Sequence, residues 1–244
     1  MAHRTRKKLT KKEIERDPIG EKLEAGVIFV QTHFKEVIAG VAVLLVLVLV
    51  LQYLSAKRSA ASDEAMAGFI TASQIYTQAL SSAAGSQAEQ AFQALDAAYS
   101  LSMQTWNGNP QNDWARKSAV LAAKIDIVRG NYDAAITTLS TVLAANPDKS
   151  IKIPALLHMG IVLENRGSEQ DLANAVSAYQ ELLTISDENA QVNAEALFGL
   201  SRTFYAQQKY AESQEALNNA LSLAQDTTAF EAFQIRRLAA VTGN

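Results

Sequence analysis

Residues 37 to 56, VIAGVAVLLVLVLVLQYLSA, run for 20 positions without a charged side chain, and no other stretch limits the possible folds as far. As a helix the run is roughly 30 Å long, the thickness of a bilayer's hydrocarbon core. Thirteen of its 20 residues are Leu, Ile or Val, so insertion gains on the order of 4 to 8 kcal/mol before end effects. A helix buried in a water-soluble core does not stay apolar around its whole circumference for so long. A cleaved signal peptide fits poorly too. Thirty-six residues precede the run, and Lys57 and Arg58 stand where small residues would mark a cut. The sequence therefore predicts an uncleaved transmembrane helix over 37–56.

Charge around that helix predicts its direction. Residues 1–36 carry nine Lys/Arg and six Asp/Glu, against two bases directly after the span, which by the positive-inside rule keeps the N-terminus cytoplasmic and exports residues 57–244. Three parts follow: a basic cytoplasmic tail with an amphipathic juxtamembrane helix over 1–36, the span over 37–56, and a folded part over 57–244. In the tail, RTRKKLTKK is expected to meet anionic lipid. Asp17 and Pro18 make a cap and first turn. Ile19, Leu23, Val27, Val30 and Phe34 then share one helical face, placed for the membrane interface or for a partner helix. From Ser59 onward 11 basic and 19 acidic residues give a net charge of -8, which excludes a basic nucleic-acid surface there.

The exported part reads as a repeat. Counted from Gly130, Tyr132, Ala135, Leu139, Val142 and Pro147 lie at the offsets of the second half of a tetratricopeptide repeat. The spacing returns in Gly167, Leu172, Ala175, Tyr179, Leu182 and Asp187 after a three-residue insertion, and in Tyr210, Ser213, Leu217 and Ala220. A degenerate copy supplies Ala91, Leu95 and Ala98. Ala123, Gly160 and Ser201 occupy the small position of each preceding helix. Small residues at these points let two antiparallel helices approach, and large ones a turn away fill the space around the crossing.

With only 4 Pro and 11 Gly to make turns, the expected fold is all-α: a tetratricopeptide-like helical-hairpin solenoid with one N-terminal transmembrane helix. Helices are expected over 60–83, 87–103, 112–129, 131–145, 152–166, 171–185, 190–207 and 209–224. A capping helix over 228–240 would cover the last pair with Phe230, Phe233, Ile235 and Leu238. Gly85, QTWNGNPQND and ANPDKS mark turns. Either the membrane helix runs on into 60–83, or Ser59 or Ser62 caps a new helix there.

The first helix of each pair lines the concave face of such a solenoid. That register places Lys117, Val120, Lys124, Ile127, Leu157, Ile161, Glu164, Glu195, Phe198, Arg202 and Tyr205 there, a mixed surface suited to an extended or helical segment of another protein. Val120, Ile161 and Phe198 are equally placed to be buried between repeats. Chemistry finds little footing. There is no cysteine, no phosphate-loop or metal-ligand spacing, and no nucleophile motif. His3, His33 and His158 lie far apart in the pattern, and His158, between Leu157 and Met159, reads as a packing residue. Trp106 and Trp114 read as packing residues beside the longest loop. No enzyme activity, cofactor or metal is expected.

A basic tail that contains RKKLTKKEIERDP, one N-terminal span and an acidic repeat array together resemble the bacterial ancillary SecYEG translocon subunit family and related envelope-biogenesis repeat proteins. The resemblance implies a single-pass inner-membrane protein whose periplasmic repeats contact translocon components, chaperones or emerging substrates. A scaffold subunit of another membrane complex (outer-membrane assembly, respiratory or photosynthetic) has the same layout. So does an organellar import receptor with a cytosolic array.

Overall fold

The computed structural model describes residues 18–83, 88–186 and 189–224. The basic tail with His3 and Asp17, the turn at Gly85, Asp187 with Glu188, and the capping helix over 228–240 lie outside the described residues. Among the described residues every element is an α-helix: α1 (Pro18–Thr32), α2 (Phe34–Ala83), α3 (Ala88–Gly108), α4 (Asp113–Arg129), α5 (Tyr132–Ala144), α6 (Lys149–Arg166), α7 (Glu169–Ile185), α8 (Ala190–Ala206) and α9 (Tyr210–Leu223). The chain divides into two compact units, Met1–Ser59 and Ala60–Asn244.

In the first unit, α1 and the start of α2 are separated by His33 alone. Backbone bonds from His33 N to Phe29 O and from Val37 N to His33 O, both 2.9 Å, carry the helical pattern across it. Leu23, Val27, Val30 and Phe34 are all exposed, as is every residue from Val41 through Leu51. Phe34–Ser82 is long and apolar enough to cross a membrane, with a window of mean hydropathy 2.8 that is not buried by any of the described residues. No new cap interrupts α2 at Ser59 or Ser62. Of the two readings open there, the continuous helix is the one observed.

In the second unit each helix packs on the next: α3 on α4, α4 on α5, and so on to α8 on α9. In addition α4 touches α6, and α6 touches α8. The periodic positions form the contact surface. Ala91, Ala135, Ala175 and Ser213 are buried, as are Leu95, Leu139, Tyr179 and Leu217, and Ala98, Val142, Leu182 and Ala220. Ser201 and Ser213 meet as the register requires: each hydroxyl donates to the other's carbonyl at 2.8 Å. One core joins the second half of α2 to α3 and α4 through Ala72, Tyr76, Leu95, Ala98, Leu121 and Ile125. A larger one runs from α4 to α9.

Local chemistry sets the helix ends. Asn112 Oδ1 accepts from Trp114 N at 2.8 Å to start α4, Ser168 Oγ accepts from Asp171 N at 3.1 Å to start α7, and Asn189 Oδ1 accepts from Val192 N at 3.2 Å to start α8. Gly130 and Gly167 end α4 and α6 with φ of 78° and 73°, the left-handed region that a residue without Cβ enters freely.

Three expected boundaries are corrected. Helix α3 continues past 103 to Gly108, through residues that read as a turn. Trp106 packs on the main core and Thr105 lies against Gly68 of α2, and that packing outweighs the turn-like composition. Helix α6 begins at Lys149, not 152, and so holds Pro154 in its second turn. Helix α7 begins at Glu169, because Ser168 caps it two residues earlier than expected.

Arg166, at the end of α6, ties three helices together. Its Nε donates to Asp171 Oδ2 of α7 at 2.8 Å, Nη2 donates to Asp171 Oδ1, and Nη1 reaches Asp133 of α5 at 2.8 Å. These bonds, with one from the Ser168 hydroxyl, hold the Asp171 carboxyl well below the usual carboxylate range. Arg129, the equivalent residue of α4, pairs in the same way with Asp96 of α3.

Candidate functional site

The second half of α2, with α4 and α6, lines an open cavity of about 350 Å³. Phe69, Val120, Leu121, Ile151 and Pro154 give it apolar walls, and Ser73, Ser150, Lys117, Lys124 and His158 supply the polar groups. Its two cations are seven residues apart on α4, each over a ring: Lys117 Nζ lies 4.2 Å from the Trp114 ring centre and Lys124 Nζ 5.0 Å from that of Tyr76. Cation–π attraction favours those placements. Phe69 and Trp114 meet at 5.7 Å between ring centres. Burial, and after it the Lys124 charge, pushes His158 down to about 4, so its imidazole is neutral at pH 7. No acidic side chain lines the cavity.

Pro154 stands four residues after Ser150 in α6, and both residues line the cavity. Of the residues placed on the inner face by sequence, Lys117, Val120 and Lys124 come together here, with Val120 almost fully covered.

A second cluster joins α6 to α8. Arg202 Nε and Nη2 donate to the two Glu164 carboxylate oxygens at 2.6 and 2.8 Å, and the Tyr179 hydroxyl donates to Glu164 Oε2 at 3.2 Å. The guanidinium carbon of Arg202 lies 4.6 Å from the Phe198 ring centre. Burial works against the Arg202 charge, but the bidentate bonds to Glu164 outweigh it and raise its pKa. Burial also pushes the Tyr179 phenol well up. Glu164 and Arg202, two of the five charges of the expected mixed surface, thus neutralise each other.

The remaining inner-face residues are dispersed. Ile127 and Leu157 pack against the main core. Ile161 is half-buried, and Glu195 accepts from Gln191 Nε2 at 3.0 Å. Tyr205 stacks edge-on with Tyr210 of α9, ring centres 5.6 Å apart. Sequence reasoning missed Phe69, Ser73, Ser150, Ile151 and Pro154 as cavity residues and assigned His158 to packing alone. Carrying the repeat register back before Ala91 would have found Phe69 and Ser73, since residues 60–83 form the first member of the α3 pair.

Among the described residues no three His, Asp or Glu side chains converge as a metal site would require. No protein-family model matches the chain, and no curated protein matches it significantly.

Proposed function

We propose that this chain is a single-pass membrane scaffold whose helical pairs stack as a tetratricopeptide-like solenoid and bind other proteins. The observation that carries the reading is the row of contacts from α4 to α6 to α8, added to the pairing of each helix with its successor. First members of successive pairs touch in a stack of hairpins, where they form an inner face. The burial of twelve periodic positions supports the same register, while Tyr210 of that pattern is exposed. The uncovered apolar helix supports the membrane anchor.

Nine bases before the span and two after it support a cytoplasmic N-terminus and exported repeats, and the resemblance to envelope repeat proteins makes the periplasm their compartment. The resemblance to ancillary SecYEG translocon subunits narrows the role to protein translocation or envelope biogenesis at the inner membrane. The inner face of α4, α6 and α8 binds the partner, and the basic head meets anionic lipid.

The test is photo-crosslinking in cells from positions 161 and 195 on the inner helices, with positions 137, 174 and 218 on the outer helices as controls. Capture of the same protein from both inner positions and from none of the controls is the expected result. Capture confined to the outer positions overturns the inner-face reading, and protease digestion of the repeats in intact spheroplasts tests the periplasmic placement.

A further inference from the structure

We infer that two copies of this chain pair side by side through α2, where Met66, Ile70, Ser73, Thr77 and Leu80 form the seam of a parallel two-stranded coiled coil. The inference rests on the membrane-anchor reading above and adds a second copy as partner. Exposure is the first observation. Among the described residues from Ala60 onward seven large apolar side chains are exposed, and three of them, Met66, Ile70 and Leu80, stand on α2. Spacing is the second. Steps of four, three, four and three residues lead from Met66 through Ile70, Ser73 and Thr77 to Leu80, the 3.5-residue period at which two helices keep one seam in contact. That order puts the β-branched Ile70 and Thr77 at a positions and Met66, Ser73 and Leu80 at d positions. Branched residues at a with Leu at d favour two strands.

The seam is not the face that α2 turns to its own array. Ala72, Tyr76 and Ala79 are buried on another side, in the core shared with α3 and α4, whereas the open space over the seam, about 560 Å³, is bordered by residues of α2 alone. Charge selects a second copy as the occupant. No charged side chain occurs from Ala65 to Ala88, 24 positions, although the chain from Ser59 onward carries a net charge of -8. Ala67, Gln74 and Ser81, which flank the seam, are exposed and uncharged. Two copies that met on the acidic surface elsewhere would oppose like charges, a costly arrangement; along this seam none meet. The contact is small. From 66 to 80 the helix is about 21 Å long, and a strip ~10 Å wide on each copy gives roughly 400 Å² in all, below the ~1,200 Å² of a stable interface. Pairing therefore depends on the anchor, which confines both copies to one plane, raises their effective concentration, and makes the two helices parallel by inserting them in the same direction.

The chain contains no cysteine, so single-cysteine variants of the full chain, oxidised mildly in the membranes of the cells that make it, report the contact directly. Expected is at least tenfold more disulfide-linked dimer from Ile70→Cys and Thr77→Cys than from Thr71→Cys and Gln78→Cys, which are exposed on the same helix one residue further on. Adding Ile70→Glu with Thr77→Glu should lower the dimer formed by Met66→Cys at least tenfold. Circular dichroism of that charged variant should match the parent, and the comparison of positions 70 and 77 with 71 and 78 does not depend on it.

Equal dimer from all four positions would mean random collision and overturns the inference. So does a disulfide from position 70 or 77 to a different protein, which would make the seam a site for another partner. A mixed disulfide between co-expressed Met66→Cys and Leu80→Cys chains would mean antiparallel pairing and overturns it as well. Carbonate extraction of the same membranes separates the two readings. If the chain stays in the pellet and no dimer forms, this inference fails and the anchor stands; if the chain is extracted, the anchor reading fails and the pairing that depends on it fails too.

Discussion

Tyr179 owes its position to two residues with no side chain. A methyl group at Gly160 of α6 or at Gly199 of α8 would come closer than 3.0 Å to its ring, so the ring lies between two bare helix surfaces and its hydroxyl reaches Glu164. Gly160→Ala should therefore cost ~1 to 3 kcal/mol by overpacking, and Tyr179→Ala ~3 to 5 kcal/mol by leaving a cavity. Combining Gly160→Ala with Tyr179→Leu should cost less than the sum, because the smaller side chain makes room for the methyl. Urea melts of the four proteins check this, and simple additivity would mean the two residues do not share one space. His158 makes a pH-dependent contribution. Its folded pKa of about 4 lies below the ordinary 6.5, so the unfolded chain binds the proton more readily. Stability is fully present above pH 6.5 and falls as pH drops toward 4. Between pH 7.5 and pH 5 this amounts to about 2 kcal/mol. The wild type should lose that much more than His158→Phe in paired denaturant melts at the two pH values. Equal losses would mean that the imidazole is not desolvated.

At the scale of helices, one turn position recurs three times in two chemistries. Gly130 and Gly167 take positive φ after α4 and α6, and the same register after α8 holds Gln208 with φ 61°. A side chain in that region costs about 1 kcal/mol relative to glycine. Gln208→Gly should accordingly raise stability by ~0.5 to 1 kcal/mol and Gly130→Ala should lower it by about 1 kcal/mol, both read as shifts in melting temperature. A loss of stability in Gln208→Gly would show that the glutamine side chain contributes more than its backbone costs. The periodic residues could be read from sequence because small side chains at the crossings leave few alternatives, and the burial of Ala135, Ala175 and Ser213 follows from spacing alone. The Glu164 to Arg202 pair could not, since residues 38 apart are joined only by the sideways contact of α6 with α8. The true ends of α3 and α6 escaped for a different reason. Local composition argues for a turn near Trp106 and a late start near Pro154, and tertiary packing of Trp106 in the one case and of Ile151 and Ala155 in the other overrides it.

For the whole molecule, the decisive quantity is the free energy of placing residues 37–56 in lipid. Their Leu, Ile and Val side chains gain on the order of 4 to 8 kcal/mol, while an Arg at the centre of the span costs about 2.5 to 3.5 kcal/mol. Two arginines erase most or all of that gain, and the leucines they replace remove another ~1 kcal/mol. Leu45→Arg with Leu49→Arg puts both charges on one face near the middle of the apolar run, where neither can snorkel to an interface with ease. The double variant should leave the carbonate-resistant membrane pellet, whereas Leu45→Ala with Leu49→Ala should stay in it. The repeats offer a second readout of the same event, because their periodic core is built from residues beyond Ala60 and does not include the span. A glycosylation or protease-protection tag at the C-terminus should report translocation for the parent and the alanine pair, and its loss for the arginine pair. If the arginine pair remained embedded and translocated, lipid transfer of this segment would not be what anchors the chain, and the orientation inferred from the flanking charges would have to be sought in another contact.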